Sequence, residues 1–392
     1  MPLPKLRPLD AYPVRVDGRD LICLRDLEGI VPDPVLVPPR TFLIASLLDG
    51  AADVVDVQAE YARRTGGELL FSWDLQQIMD ELDRHGLLLT ERFEERRRAV
   101  AEAYAAAPER PAFHAGRSYP AAPQALAEEL DRHLAGVGPE ELVGVRARGV
   151  VAPHIDLSRG GWCYAWAHRA LAQAPPETVV VLGVAHGGAP VPFILTAKPF
   201  ATPLGPVQVD EAAVVLLSER VDGLLRHEVA HRAEHSIEFQ ALFLRHLFGD
   251  AVRIVPLLCA LPGASARPPE ETEGLAEALR VLLGRGRRVA LLASVDFSHV
   301  GPRFGDREPA DAALAARTSA RDREVLERIL AGDAEGFWLA VMGDGNPQRI
   351  DAALPVYVLL RVLAPTRGRL LRYGQAPDPA GGLVSFASIA LA

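Results

Sequence analysis

A chain of 392 residues exceeds one average domain and is expected to divide into two, of roughly 100 to 200 residues each. Its composition, 49% hydrophobic and 24% charged, is that of a globular protein able to bury a large core. A net charge of −9 argues against general binding to nucleic acid or to anionic membranes, which both demand a basic surface, and leaves small molecules, peptides or other proteins as expected partners.

The first residues, Met1-Pro2-Leu3-Pro4-Lys5, lack the apolar stretch of a signal peptide. No run approaches the roughly 18 apolar residues that span a bilayer. The three cysteines, Cys23, Cys163 and Cys259, have no paired spacing, so neither a disulfide framework nor a thiolate zinc knuckle is expected. The cytoplasm is the expected compartment.

In chain order, residues 12–30 read as a hairpin: Val14 and Val16 alternate, Asp17-Gly18 supplies the positive φ angles of a tight turn, and Leu21, Ile22 and Leu24 follow. Helices are expected over 41–48, ending at Asp49-Gly50, over 54–65, ending at Gly66-Gly67, and from a Ser72 cap to about Arg84. Residues 86–89 read as a short strand. The Ala-rich, charged stretch 91–107 reads as a linker helix that stops at Pro108. From His114 onward, apolar runs alternate with helical patterns, which is the texture of an α/β domain with a largely parallel sheet. Strands are expected at 148–153, 178–184, 252–258, 287–294, 368–373 and 383–391.

Two of these strands end in histidine. His154 follows Gly149-Val150-Val151-Ala152, and His186 follows Val179-Val180-Val181-Leu182-Gly183. Ligands of open α/β sheets bind outside the carboxyl ends of the strands, so both imidazoles are candidates for a metal site. His227-Glu228-Val229-Ala230-His231 fits the HExxH pattern, in which two histidines one turn apart bind zinc, but no downstream third ligand is evident. Gly160-Gly161 and Gly187-Gly188 lack the spacing of a phosphate loop, and Cys163 reads as packed.

Six stretches occur in order over residues 113–392: His114-Ala115-Gly116-Arg117-Ser118-Tyr119-Pro120, Ala152-Pro153-His154, Leu182-Gly183-Val184-Ala185-His186, Thr202-Pro203-Leu204-Gly205, Glu234-His235-Ser236-Ile237-Glu238 and Ser294-Val295-Asp296-Phe297-Ser298-His299. They resemble the Memo family, whose bacterial members are called AmmeMemoRadiSam system protein B, and through it the class III (LigB-type) extradiol dioxygenases. The resemblance implies helices on both faces of a mostly parallel sheet, with His154 and His186 as metal ligands. It places Asp351 at a third ligand position where many members have cysteine. Two imidazoles and a carboxylate form the facial triad of non-haem iron(II) oxygenases, so iron(II) is the expected metal, ahead of manganese, zinc and copper. Asp351 also fits as the N-cap of a helix over 352–362.

The same resemblance assigns His299 as general acid or base, with Asp296 orienting it or bonding the substrate. It makes His235 a further candidate, held in its tautomer by Glu238, with Ser294 supporting the site. The order of elements in residues 1–90 resembles the small winged-helix fold of PqqD-like peptide-binding modules. With 9 Lys and Arg against 15 Asp and Glu, that segment is a poor phosphate-facing surface, so DNA binding is not expected.

The expected architecture is therefore a small α+β winged-helix module at 1–90, a helical linker at 91–112 and an α/β metal-binding domain at 113–392. Three functions are expected to compete. The chain could be an oxygen-using enzyme acting on a phenolic or other bidentate small molecule. It could be a non-catalytic metal-binding or redox adaptor. It could also be a peptide-modification partner that captures a leader peptide by strand addition, presenting it to its own second domain or to a radical SAM enzyme.

Overall fold

The computed structural model describes residues 1–261 and 267–392 and divides into two units, Met1–Ala107 and Pro108–Ala392. In the first unit, strands β1 (Asp10–Val16) and β2 (Arg19–Arg25) pair antiparallel, and β3 (Val35–Val37) adds to β2. The connecting Asp17 and Gly18 both adopt positive φ, 50° and 76°, as the Asp-Gly pair requires. Helices α1 (Pro39–Ala45), α2 (Val54–Thr65) and α3 (Ser72–Arg84) follow. Asp53 starts α2 with a reciprocal capping box to Asp56. Ser72, expected as a cap, is instead the first residue of α3. Its hydroxyl accepts a hydrogen bond from Gln58 Nε2 at 3.1 Å, which occupies it elsewhere. The strand expected at 86–89 is a single bridge between Leu6 and Leu88. Helix α4 (Glu91–Ala106) closes the unit, begun by a Thr90 cap. Ile44, Val57, Tyr61, Leu75 and Leu87 form its core.

In the second unit, α5 (Pro123–Leu134) precedes strand β4 (Gly149–Ala152), α6 (Leu157–Ala172), β5 (Thr178–Val184), β6 (Phe193–Leu195), α7 (Glu211–Arg220) and α8 (His235–Phe248). Then come β7 (Arg253–Cys259), α9 (Glu271–Leu283), β8 (Val289–Ser294), β9 (His299–Val300), α10 (Ala312–Ala331), α11 (Ala334–Met342), α12 (Ala353–Leu363) and the hairpin β10 (Gly368–Asp378) and β11 (Gly382–Leu391). All six expected strands form. The short β6 and β9 add two that carry too few residues for a periodic signal.

The sheet order is β10-β11-β4-β8-β5-β7-β6, with β9 paired to β11. Its centre, β4-β8-β5-β7, is parallel, whereas the pairings of β6, β9, β10 and β11 are antiparallel, so the sheet is mixed. The parallel strands are buried almost throughout and read as continuous apolar runs, as strands covered on both faces do. Helices α6 and α8 pack on one face and α9 and α12 on the other. Among the described residues no helix is long and apolar enough to cross a membrane.

Parallel register is what assembles the site. β4 and β5 both pair with β8, Ala152 opposite Ser294 and Leu182 opposite Ala293. Three carboxyl ends therefore lie side by side. Two residues beyond each end stand His154, His186 and Asp296.

Candidate metal centre

His154, His186 and His235 each offer a ring nitrogen, and these atoms all lie within 4.8 Å of one another. The rings of His186 and His235 stack at 4.6 Å, and His154 meets both edge-on. Every ring has its Nδ1 held from behind. His154 Nδ1 is 3.0 Å from the Ser294 carbonyl, His186 Nδ1 is 3.0 Å from Glu234 Oε1, and His235 Nδ1 is 3.2 Å from that same oxygen. Carbonyl and ionised carboxylate oxygens only accept, so Nδ1 carries the proton of each ring in its neutral form, and Nε2 is the nitrogen left to bind a metal or a second proton.

Asp351 completes the cluster. Its Oδ2 lies 3.0 Å from His154 Nε2 and 3.8 Å from His186 Nε2, yet this buried oxygen has no hydrogen-bond partner. The approach is close without the alignment of a hydrogen bond. Its Oδ1 accepts the Asp296 backbone N–H at 2.9 Å. Asp351 does not cap α12, whose N-cap is Ala352 without a side-chain bond. Two lone pairs and a carboxylate oxygen thus converge where a cation or a shared proton is needed to hold them together.

The electrostatics follow from this crowding. Burial opposes protonation of His186, but Glu234 and Asp351 outweigh it and raise its pKa to about 10. His154 is likewise raised against burial by Asp351 and Asp296. His235 goes the other way, to about 3, because burial and the neighbouring His186 outweigh Glu234. Asp351 and Glu234 are held below the usual carboxylate range by the histidines despite burial. Asp296, in contrast, is pushed up by burial and, against the pull of His154, by Asp351. Its Oδ1 accepts the His154 N–H at 3.1 Å, so it orients the turn after β4.

The supporting residues are set by α8. Glu234 is its N-cap, accepting from Ser236 N at 3.0 Å and from the His186 N–H at 2.8 Å. Ser236 Oγ bonds both backbone groups of Val184 at 3.0 Å. A Cβ on Gly183 would come within 2.6 Å of Ile237 and 2.7 Å of Ser236 Oγ, so glycine is what lets α8 approach β5. Ser294 Oγ donates to Ser236 O at 2.6 Å and accepts from Gln240 Nε2 at 2.7 Å, and Gln240 also donates to Pro153 O.

Glu238 does not hold His235. It is buried against the Arg110 guanidinium and the Tyr119 hydroxyl, and accepts His114 N at 2.9 Å. One helical turn separates residues 234 and 238, but the preceding loop brings Glu234, and not Glu238, to the imidazoles. Arg110 itself donates to the carbonyls of His231 and Glu234 at 2.9 and 2.6 Å, anchoring that loop. Glu234 and Arg110 were missed in the sequence. The signal for Glu234 was its position directly before His235, and nothing local marks Arg110.

His299 is not one of the three clustered imidazoles and stands at the start of β9. Its Nδ1 lies 3.0 Å from both the Phe297 and Arg349 carbonyls, which leaves Nε2 as the basic nitrogen. The HExxH segment is no zinc site. Glu228–His231 is one short 3₁₀ turn, Glu228 accepts the Ala197 N–H at 3.0 Å, and His231 is buried against Ile194 O at 3.0 Å. All three cysteines are buried, and burial raises Cys163 to about 12.

A family model described as Memo-like protein matches residues 110–390. A MEMO1 family protein of Aquifex aeolicus (strain VF5) is 32% identical over 98% of this chain and 99% of its own length. One from Thermus thermophilus is 37% identical over 81% of this chain and 92% of its own. A solved structure of an uncharacterized protein from Escherichia coli K12 aligns with a TM-score of 0.41 and 15% identity, over 62% of this chain and 99% of that one.

Proposed function

Because the chain belongs to the Memo-like protein family, we propose that it is a metal-dependent oxidoreductase of the extradiol dioxygenase type, holding iron(II) through His154, His186 and Asp351. The observation that carries this reading is the orphaned, buried Asp351 Oδ2 set against two imidazole Nε2 atoms. A hard carboxylate with two imidazoles, and no thiolate among them, suits iron(II) or manganese better than copper(I). When bound, the metal would supply open positions for the oxygens of a bidentate, phenol-like substrate and lower the pKa of its hydroxyl.

The chain's own residues do the rest. Ser294 O and Glu234 keep protons on the Nδ1 atoms and so present Nε2 inward. His299 accepts or returns the substrate proton at Nε2. Asp296, biased toward its neutral form, orients the His154 turn.

A second reading rests on His235, unprotonated and inside the cluster. Three imidazoles form a donor set that zinc also favours, in a metal-binding or redox adaptor without turnover. Anaerobic loading with iron(II), desalting and metal analysis separate the two. About one iron per chain is expected, lost in Asp351→Ala and kept in His235→Ala; the opposite pattern transfers the third ligand to His235. Oxygen uptake across a catechol panel then tests catalysis, and none with any member supports the adaptor.

A further inference from the structure

Asp351 and His299 are 52 residues apart in numbering terms, yet the segments that carry them are joined by four hydrogen bonds. His299 N donates to Gln348 O at 2.8 Å, and Asp296 N donates to Asp351 Oδ1 at 2.9 Å. His299 Nδ1 lies 3.0 Å from Arg349 O, and Arg349 Nη1 returns a bond to His299 O at 2.9 Å. The Arg349 guanidinium also pairs with Asp306, whose Oδ2 accepts the Gly301 N–H at 2.8 Å, just past β9.

Arg349 makes these contacts from a backbone conformation with φ 52°, and Asn346 sits at φ 57°. The left-handed region is uncommon for a residue other than glycine and persists where surrounding contacts hold it. Asn346 bonds both backbone groups of Ile350 at 2.8 Å, so the turn is clamped on each side of Arg349. Released from its clamp, a side-chain-bearing residue at 349 relaxes out of this region, carrying its carbonyl away from His299 and Asp351 away from the imidazoles.

We propose that Arg349 is a positioning residue that couples the two halves of the site, fixing the Asp351 carboxylate at the metal and the His299 ring beside it through one strained turn. This rests on the reading of Asp351 as ligand and His299 as acid or base. It predicts an unusual order of variants. Arg349→Ala removes the clamp and leaves the strain, whereas Arg349→Gly removes both.

The test uses the full chain, with cobalt(II) as the metal probe and ¹⁵N signals of the histidine rings in the metal-free protein. Arg349→Ala is expected to weaken cobalt binding between about tenfold and hundredfold, and Arg349→Gly less. In Arg349→Ala the His299 Nδ1 signal moves, although Phe297 O keeps the proton there. Arg317→Ala, at an exposed ion pair with Glu308, changes neither. Cobalt affinities of Ala and Gly variants both within about twofold of the parent, or an unmoved His299 signal, overturn the proposal. Should Arg349→Ala fail to fold, Asp306→Asn takes its place, and an unmoved His299 signal there is equally decisive. A parent chain that takes no cobalt refutes the metal reading alone, because the ring signals are read without metal.

Discussion

The site is built by two different devices. His154 and His186 are delivered by parallel strands two residues past their ends, where the sheet's own hydrogen bonds set position and only the ring needs an acceptor behind it. Asp351 comes from the turn between α11 and α12, where side chains hold two left-handed residues in place. A side chain carried at a strand end inherits the rigidity of the core, whereas one carried on a turn depends on a few local contacts. The first should fail all at once and the second by degrees.

The largest expected effect is at a strand-end histidine. His154→Ala removes an imidazole whose neighbours cannot move to replace it, and metal content after dialysis should fall below about a tenth of the parent's, consistent with losing a whole ligand bond. Retention of full metal content would break the comparison.

Acid should attack the scaffold next. Burial lowers His168 to about 4 and His231 to about 3, while the unfolded chain titrates near the ordinary value of about 6.5. The folded state therefore binds fewer protons below that value. The stability from keeping His168 neutral is fully present above pH about 6.5 and is lost as pH falls toward 4, by on the order of 3 kcal/mol. Urea titrations of the metal-free chain at pH 7 and pH 5 should show the decline, and replacing His168 by Phe should reduce it to the part that His231 contributes.

Gly183→Ala comes third. The added methyl meets Ile237 and Ser236 Oγ, an overpacking expected to cost about 1–3 kcal/mol, read as a lower urea midpoint accompanied by weaker metal binding, because α8 carries Glu234 and His235. The smallest effect belongs to the turn. Asn346→Gly gives up two side-chain hydrogen bonds but eases the φ of 57°, so stability should change by less than about 1 kcal/mol and metal affinity by a few-fold. If Asn346→Gly proves as damaging as Gly183→Ala, the turn is as rigid as the sheet.

Legibility in the sequence follows the same division. The runs ending at Ala152 and Gly183 announce strands through apolar residues alone, and histidine just beyond such a run is a local signal. The Asp17-Gly18 turn is local too. The pattern at 234–238 was readable as a motif, but Glu238 was given the role that Glu234 performs. Choosing between two carboxylates one turn apart depends on Arg110, 128 positions from Glu238, and on the path of the loop that Arg110 anchors. Ser72 misled for the same reason, because a distant Gln58 claims its hydroxyl.

By itself the amino-acid order determined where the central strands run and which of them end in imidazoles, since periodicity, apolar runs and turn residues act over short range. Only the tertiary structure decided that His235 joins the cluster, that Glu234 backs two rings at once, that Asp351 faces them instead of capping α12, and that Arg349 joins Asp351 to His299. Each of these is a match between polar groups far apart in the chain. Such a match exists only after the sheet has set the distances.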